Sequence, residues 1–374
     1  MTTEKLSKEI KEAFETIEKL NEDSTTLAES ALSVVNEYID TGSLALNAII
    51  SGSLYKGIPK GRITGLVGPT GCGKTLILSK IIANAQKADP KVWGLIWDSE
   101  NAFDPTIAKN VGANIFKIKH NPVETVEECR NQIVAFLDKI LPYKELYGKF
   151  IIGIDSLGNL ASTKEIADSL KDKDATDMGL RAKTIKSMMR SLTYKCAKTN
   201  TTLIFTNHIY DDPTSMFPSL VKSQSGGKGP MYLASLLIQL GVRNEKNENN
   251  DGTTIPLANK INGITMRALT VKNRFVPPFL ETELYLNFKT GLYKYAGLLE
   301  MATAYNIIIQ NGPIYNLSDG TKLGYLKNWK DDETFWVEKV LPKLDDVLQK
   351  QLCFSSTTTT AQSPEIAEMA ETTE

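Results

Sequence analysis

Short apolar runs alternate with longer helical patterns through the middle of the chain. The runs that predict strands are RITGLVG (62–68), KVWGLIWD (91–98), KFIIGID (149–155) and TTLIFTN (201–207). Helical patterns between them cover residues 75–87, 124–141 and 179–198, and three closer-spaced strand patterns follow at 233–242, 264–271 and 282–288. Continuous apolar strands separated by helices are typical of a parallel sheet covered on both faces. The sequence therefore predicts an α/β fold with a mainly parallel central sheet.

Different patterns occupy the two ends of the chain. Residues 4–21 predict a helix with one apolar stripe, formed by Leu6, Ile10, Phe14, Ile17 and Leu20. A short helix cannot bury such a stripe alone, so the stripe must pack on another surface. Residues 298–353 form a small mixed region that ends in a helical pattern. Residues 355–374 contain four glutamates and no basic residue, which predicts a disordered acidic tail.

Composition excludes several classes of protein. No apolar run reaches the roughly 18–20 residues that a bilayer requires, so an integral membrane protein is not expected. The four cysteines are scattered and there are two histidines, which argues against a disulfide scaffold and a Cys/His zinc site. The first residues lack a signal-peptide pattern, so we expect a cytoplasmic protein. Because the net charge is −1, nucleic-acid binding requires a local basic patch.

One glycine-rich segment matches the pattern G-x-x-x-x-G-K-[ST] between a predicted strand and a predicted helix. Its residues are Gly68, Pro69, Thr70, Gly71, Cys72, Gly73, Lys74 and Thr75. In this context the backbone N–H groups surround phosphates, the lysine reaches the β- and γ-phosphates, and the threonine binds Mg²⁺. The segment predicts a site for ATP and Mg²⁺, since a chance match rarely has both flanking elements.

Polar residues follow three other predicted strands. Asp155 closes one strand and is the expected Mg²⁺ partner of Thr75. Glu100 follows another and can orient the water that attacks the γ-phosphate, although a solvated loop glutamate would look the same. His208 follows the strand 201–207 and would lie beside the γ-phosphate.

Two long irregular segments, at about 161–177 and 209–227, indicate functional loops. The helix after the first loop carries four basic residues that can contact a phosphate backbone, namely Arg181, Lys183, Lys186 and Arg190. A solvated basic face would give the same pattern, and the first loop is also rich in aspartate. The second loop contains the apolar pair Met216 and Phe217.

The ordered motifs resemble the RecA recombinases, and most closely the UvsX-type recombinases of phages. The resemblance covers about residues 40–352. It is carried by DTGSLAL, GPTGCGKT, DSENAFDP, IDSLGNLASTKE, DMGLRAKTIKSMMRSL, LIFTNHI, SGGKGPMYLAS and VKNRFVPPF. This many blocks in order is far more specific than the phosphate-binding segment alone.

The resemblance implies a role for each matching residue. Lys74, Thr75 and Asp155 would bind Mg-ATP. Glu100 would be the catalytic carboxylate, and His208 would be the γ-phosphate sensor. Lys272 and Arg274 match two basic residues that contact the γ-phosphate of the neighbouring subunit. The resemblance therefore implies that both are catalytic residues.

The resemblance also implies DNA contacts and domains. Single-stranded DNA would lie against both loops, including Met216, Phe217, Gly226 and Gly227. Residues 1–33 would form an N-terminal polymerisation helix and linker, and 34–297 a RecA-like ATPase core. Residues 298–354 would be a small C-terminal α/β domain that gathers duplex DNA, followed by the acidic tail.

The implied function is a DNA recombinase that forms a homo-oligomeric helical filament on single-stranded DNA and pairs it with homologous duplex DNA. Single-strand binding and loader proteins are expected partners. The setting would be the host cytoplasm if the chain is phage-encoded. Alternatives are a regulatory paralogue without efficient turnover, a hexameric helicase-type ATPase and a P-loop small-molecule kinase. The presence of four residues with implied catalytic or Mg-ATP roles argues against the paralogue, namely Glu100, Asp155, Lys272 and Arg274. Both long loops are unexplained in a kinase.

Overall fold

The computed structural model describes residues 3–27, 30, 32–169, 178–210, 220–227, 229–242, 263–287 and 291–353. Its strands up to the second candidate loop are β1 (Tyr38–Ile39), β2 (Ile58–Pro59), β3 (Ile63–Val67), β4 (Trp93–Asp98), β5 (Ile118–Pro122), β6 (Phe150–Asp155), β7 (Thr202–Asn207) and β8 (Ile209–Tyr210). The later strands are β9 (Ser223–Gln224), β10 (Leu236–Val242), β11 (Gly263–Asn273), β12 (Glu281–Asn287), β13 (Gly291–Leu292), β14 (Ile308–Asn311), β15 (Ile314–Leu317) and β16 (Lys322–Tyr325).

The helices alternate with these strands. They are α1 (Thr3–Leu20), α2 (Leu44–Ser51), α3 (Lys74–Ala88), α4 (Pro105–Asn110), α5 (Val126–Ile140), α6 (Thr163–Ser169), α7 (Met178–Lys198), α8 (Gly229–Leu233), α9 (Leu298–Ala304), α10 (Glu333–Phe335) and α11 (Leu341–Leu352). A π-helical turn at Trp336–Val340 joins the last two. No helix among the described residues is long and apolar enough to cross a membrane.

A nine-stranded sheet forms the centre of the fold, in the order β13-β12-β11-β10-β3-β7-β6-β4-β5. The strands from β10 to β5 run parallel, and β11, β12 and β13 extend the sheet in antiparallel fashion. The predicted α/β fold with a mainly parallel central sheet is therefore confirmed. β5 was not predicted as a strand, and it forms the edge of the sheet beside β4.

Helices cover both faces of the sheet. One apolar cluster joins α2 and α3 to the sheet and also contains side chains of the C-terminal segment such as Trp336 and Leu344. A second cluster joins α5 and α7 to the other face, through Ile133 and Met188 for example. Asp345 Oδ1 accepts hydrogen bonds from Leu54 N at 2.7 Å and from Ser53 Oγ at 2.9 Å, which attaches α11 to the residues after α2.

The apolar stripe of α1 is exposed from Ile10 to Leu20, the part whose side chains the structure describes. Ile10, Phe14, Ile17 and Leu20 are 44%, 58%, 51% and 85% exposed. Beyond α1, Asp23 accepts hydrogen bonds from the Tyr194 hydroxyl and from Lys198 Nζ, which attach the linker to the end of α7. The stripe is thus available to another surface. The predicted acidic tail at 355–374 lies outside the described residues, and the domain boundaries stay predictions.

Candidate functional site

The sheet brings the carboxyl ends of β3, β7, β6 and β4 to one edge. Val67 pairs with Asn207 across β3 and β7, and Asp98 pairs with Asp155 across β4 and β6. In open parallel sheets ligands bind at this edge. The glycine-rich segment, Glu100 and His208 follow three of these strands, and Asp155 is the last residue of the fourth, so they meet at this edge as expected.

The glycine-rich segment forms a tight turn into α3. Gly73 has φ +80°, and a Cβ atom there would lie 2.1 Å from Leu286 Cδ2, so only glycine fits. Lys74 is buried, and its Nζ donates to the carbonyl oxygens of Gly68 at 3.0 Å and Pro69 at 2.8 Å. The lysine charge is thus held within the loop, next to the N-terminus of α3, and both features favour an anion.

Asp155 lies between two threonine hydroxyls. Thr75 Oγ1 donates to Asp155 Oδ2 at 2.6 Å, and Thr206 Oγ1 donates to the other carboxylate oxygen. Burial raises the pKa of Asp155, the two hydrogen bonds oppose this, and the nearby Glu100 raises it further. A hydroxyl and a buried carboxylate in contact are oxygen ligands of the kind that Mg²⁺ prefers. A divalent cation there would also stabilise the ionised carboxylate, so the residues fit Mg²⁺.

Glu100 contacts His208, with 3.1 Å between Glu100 Oε1 and His208 Nε2. The two side chains are 35% and 28% exposed, so both remain accessible to solvent. His208 directly precedes β8, which pairs with β9 and closes the base of the second candidate loop. The contact therefore connects the predicted catalytic carboxylate to that loop.

Two residues that shape the Glu100 turn were not predicted. Asp98 accepts hydrogen bonds from Glu100 N at 2.9 Å and Phe103 N at 3.0 Å, and its Oδ2 lies 3.1 Å from His120 Nε2. Burial raises the pKa of Asp98, but these hydrogen bonds outweigh it and the pKa falls below its ordinary value. An aspartate two residues before Glu100 is itself a turn signal. The sequence carries no comparable signal for His120.

Lys272 and Arg274 lie toward the opposite edge of the sheet. Lys272 pairs with Leu237 on β10, which pairs with Gly65 near the middle of β3, and Arg274 is exposed beyond the end of β11. Lys272 Nζ donates to the carbonyl oxygens of Met231 and Tyr232 at the end of α8. Burial, together with Arg274, lowers the pKa of Lys272 to about 8.

The four basic residues predicted on α7 have different surroundings. Lys183 and Lys186 are exposed and line a recess between α7 and α8 that Tyr232 also lines. Arg190 is exposed and lines a separate recess with Arg274. Arg181 differs, because its guanidinium donates to the main-chain oxygens of Gly158 and Leu160.

The described part of the second candidate loop packs on α7. Gly226 and Gly227 have φ +80° and +76°. A Cβ atom at Gly226 would lie 2.7 Å from Ile185 Cδ1, and one at Gly227 would lie 3.1 Å from Ala182 Cβ. The end of the loop therefore lies against the basic helix. Met216 and Phe217 lie outside the described residues.

A phosphate-binding loop beside Asp155, at the carboxyl edge of a parallel sheet, defines the chain as a P-loop nucleotide-binding protein. The family model described as the RecA N-terminal domain matches residues 8–293. The chain therefore belongs to the RecA family and is a RecA-type recombinase. Members of this family are in general DNA-dependent ATPases that use ATP and Mg²⁺ and form filaments on DNA.

Similar proteins come from a phage and from bacteria. The Recombination and repair protein of Enterobacteria phage T4 is 30% identical over 301 residues, which are 78% of this chain and 72% of the relative. Protein RecA of Thermus aquaticus is 30% identical over 283 residues, 76% of each chain. Protein RecA of Clostridioides difficile is 30% identical over 319 residues, 85% of this chain and 84% of the relative.

Proposed function

We propose that this recombinase assembles head to tail on single-stranded DNA and couples ATP hydrolysis to homologous pairing and strand exchange. The observation that carries the proposal is the contact of Glu100 with His208. It joins the predicted water-activating carboxylate to the first residue before the second candidate DNA loop. A change in that loop would therefore reach the hydrolytic residue directly.

ATP would bind with its phosphates in the turn at Gly68–Thr75, where Lys74 exchanges its main-chain carbonyl partners for phosphate oxygens. Thr75 and Asp155 would hold Mg²⁺, which would supply positive charge to neutralise the phosphates. Glu100 would orient a water molecule for in-line attack on the γ-phosphate, and Asp98 would fix the turn that aims it. His208 would sense whether the γ-phosphate is present.

Hydrolysis would be completed by the neighbouring subunit. Lys272 and Arg274 lie away from their own phosphate-binding turn, at the edge of the sheet that a head-to-tail neighbour would approach. Two cations supplied there would stabilise charge on the transferring phosphoryl group. The exposed stripe of α1 supports the same assembly, because it offers an apolar contact to a second copy.

Single-stranded DNA would follow the helix α7 and both loops, with Lys183, Lys186 and Arg190 contacting phosphates. Residues 298–353 would gather duplex DNA. Single-strand binding and loader proteins are proposed partners, and the cytoplasm, of the host if the chain is phage-encoded, is the proposed compartment.

A pairing assay tests this function. Fluorescent single-stranded DNA, a homologous duplex and the protein are mixed with ATP and Mg²⁺, and strand transfer is followed by energy transfer between dyes. We expect transfer that requires ATP and homology, and no transfer by Lys74→Ala. DNA-stimulated ATPase activity without strand transfer would instead favour the helicase-type reading.

A further inference from the structure

Residues at the ends of the two candidate DNA loops share one hydrogen-bond acceptor. The main-chain oxygen of Gly158 accepts from the Arg181 guanidinium and, at 3.1 Å, from Ser225 Oγ. Gly158 lies just before the first loop, whereas Ser225 lies near the end of the second. Space at this point is tight, since a Cβ atom at Gly158 would lie 2.3 Å from Asn207 Oδ1 and 2.7 Å from Ser225 Cβ.

Arg181 also links the two ends of the first loop. The loop starts after Leu160 and ends where α7 begins at Met178. The sequence predicted an irregular segment here, but Thr163–Ser169 form the helix α6. Arg181 stands in the first turn of α7. Its Nε donates to the Leu160 oxygen at 2.7 Å, in addition to the Gly158 contact. The partly buried guanidinium therefore joins the two ends of the loop.

The same contacts continue to the nucleotide site. Ser225 N donates to the His208 oxygen at 3.3 Å, and Asn207 Nδ2 donates to the Ser225 oxygen at 2.9 Å. His208 in turn contacts Glu100. A continuous path of hydrogen bonds thus runs from Arg181 through Gly158 and Ser225 to the predicted catalytic carboxylate.

We propose that Arg181 is a positioning residue that couples the two DNA loops to ATP hydrolysis, and that it does not neutralise a DNA phosphate. This rests on the proposed DNA-dependent ATPase. Charged donors make strong hydrogen bonds to carbonyl oxygens, and leaving partly buried carbonyls without them is costly. The guanidinium therefore holds the ends of the two loops in place, whereas the neighbouring Lys183 and Lys186 are exposed.

Salt dependence separates the two roles. Each phosphate contact contributes a slope of about 0.7 to the fall of log affinity with log salt on single strands. Arg181→Met should keep the wild-type slope while the stimulation of ATPase by single-stranded DNA falls by about tenfold, and Arg181→Lys should recover part of that stimulation. Lys183→Met, the matched control on the same helix, should lower the slope by about 0.7. A slope lowered equally by Arg181→Met would overturn the proposal.

The coupling between Arg181 and Ser225, which donate to the same oxygen, is tested by combining a variant of each. If Arg181 and Ser225 act through Gly158, Arg181→Met/Ser225→Ala should lose less stimulation than the product of the two single losses. Hydrogen exchange of residues 157–162 and 223–227 should be faster in Arg181→Met than in the wild type. If the wild type is stimulated by DNA and Arg181→Met has the same stimulation and the same exchange, the proposed role of Arg181 is wrong. The proposed function is not affected by that result. A wild type without DNA stimulation would overturn the proposed function.

Discussion

The positions of Lys272 and Arg274 lead to a quantitative prediction about mixed filaments. The perturbation is a pair of variants: Lys272→Ala/Arg274→Ala keeps its own phosphate-binding turn, and Lys74→Ala keeps the two cations. If the cations serve the neighbour's nucleotide, each variant alone is inactive but a mixture creates some complete junctions. If they serve their own nucleotide, no mixture contains a complete site.

The strand register supplies the distances. Asn273 pairs with Leu236, and Leu236 pairs with Thr64, which is four residues before Gly68. At ~3.3 Å per residue along the strand and ~4.8 Å between strands, the backbone between the two cations is about 16 Å from the phosphate-binding turn. An arginine finger contributes ~10³–10⁵-fold in rate, so the double variant alone should lose at least about 10³-fold.

The assay is steady-state ATP hydrolysis on saturating single-stranded DNA at several ratios of the two variants. With random head-to-tail assembly, about a quarter of the junctions in an equal mixture combine an intact turn with intact cations. We therefore expect about a quarter of wild-type turnover at equal ratio and less on either side. Activity that stays at the level of the single variants at every ratio would mean that the two cations do not serve the neighbour's nucleotide.

Three further predictions concern single side chains. Glu100→Gln should keep ATP and DNA binding but lower kcat strongly, whereas Lys74→Ala should lose ATP binding; an effect of Glu100→Gln on KM alone would contradict its role. Phe217→Ala should weaken single-stranded DNA binding roughly ten- to a hundredfold with ATP binding intact, because stacking on a base is worth ~1–3 kcal/mol, and unchanged affinity would mean that the ring packs internally. The pKa of Lys272 is about 8, so its charge is lost as pH rises through that value, and ATPase activity should fall between about pH 7 and pH 9. Lys272→Arg should abolish that fall, since arginine stays charged; the same alkaline loss in both proteins would exclude Lys272 as its source.

Local patterns were sufficient for most of the central sheet. The predicted strands 62–68 and 149–155 correspond to β3 and β6, because continuous apolar runs are needed where both faces of a strand are buried. β5 was missed because its sequence, IKHNP, has one large apolar residue and ends in proline. Its extended conformation follows from pairing with β4, which is a tertiary effect.

The site was predictable where side chains meet side chains at strand ends. Thr75 and Asp155 come together as the motif and the parallel sheet require. The role of Arg181 was not predictable, because its partners are main-chain oxygens, and these have no signature in the sequence. A basic residue on a helix beside a DNA loop gives the same pattern in both roles.

Hydrolysis should depend on assembly on single-stranded DNA, and one paired measurement tests this dependence. ATP hydrolysis is measured with and without single-stranded DNA, and the same mixtures are imaged by negative-stain electron microscopy. We expect helical filaments and strong stimulation of hydrolysis in the samples that contain DNA and ATP. Equal hydrolysis with and without DNA, or closed rings in place of filaments, would contradict this expectation.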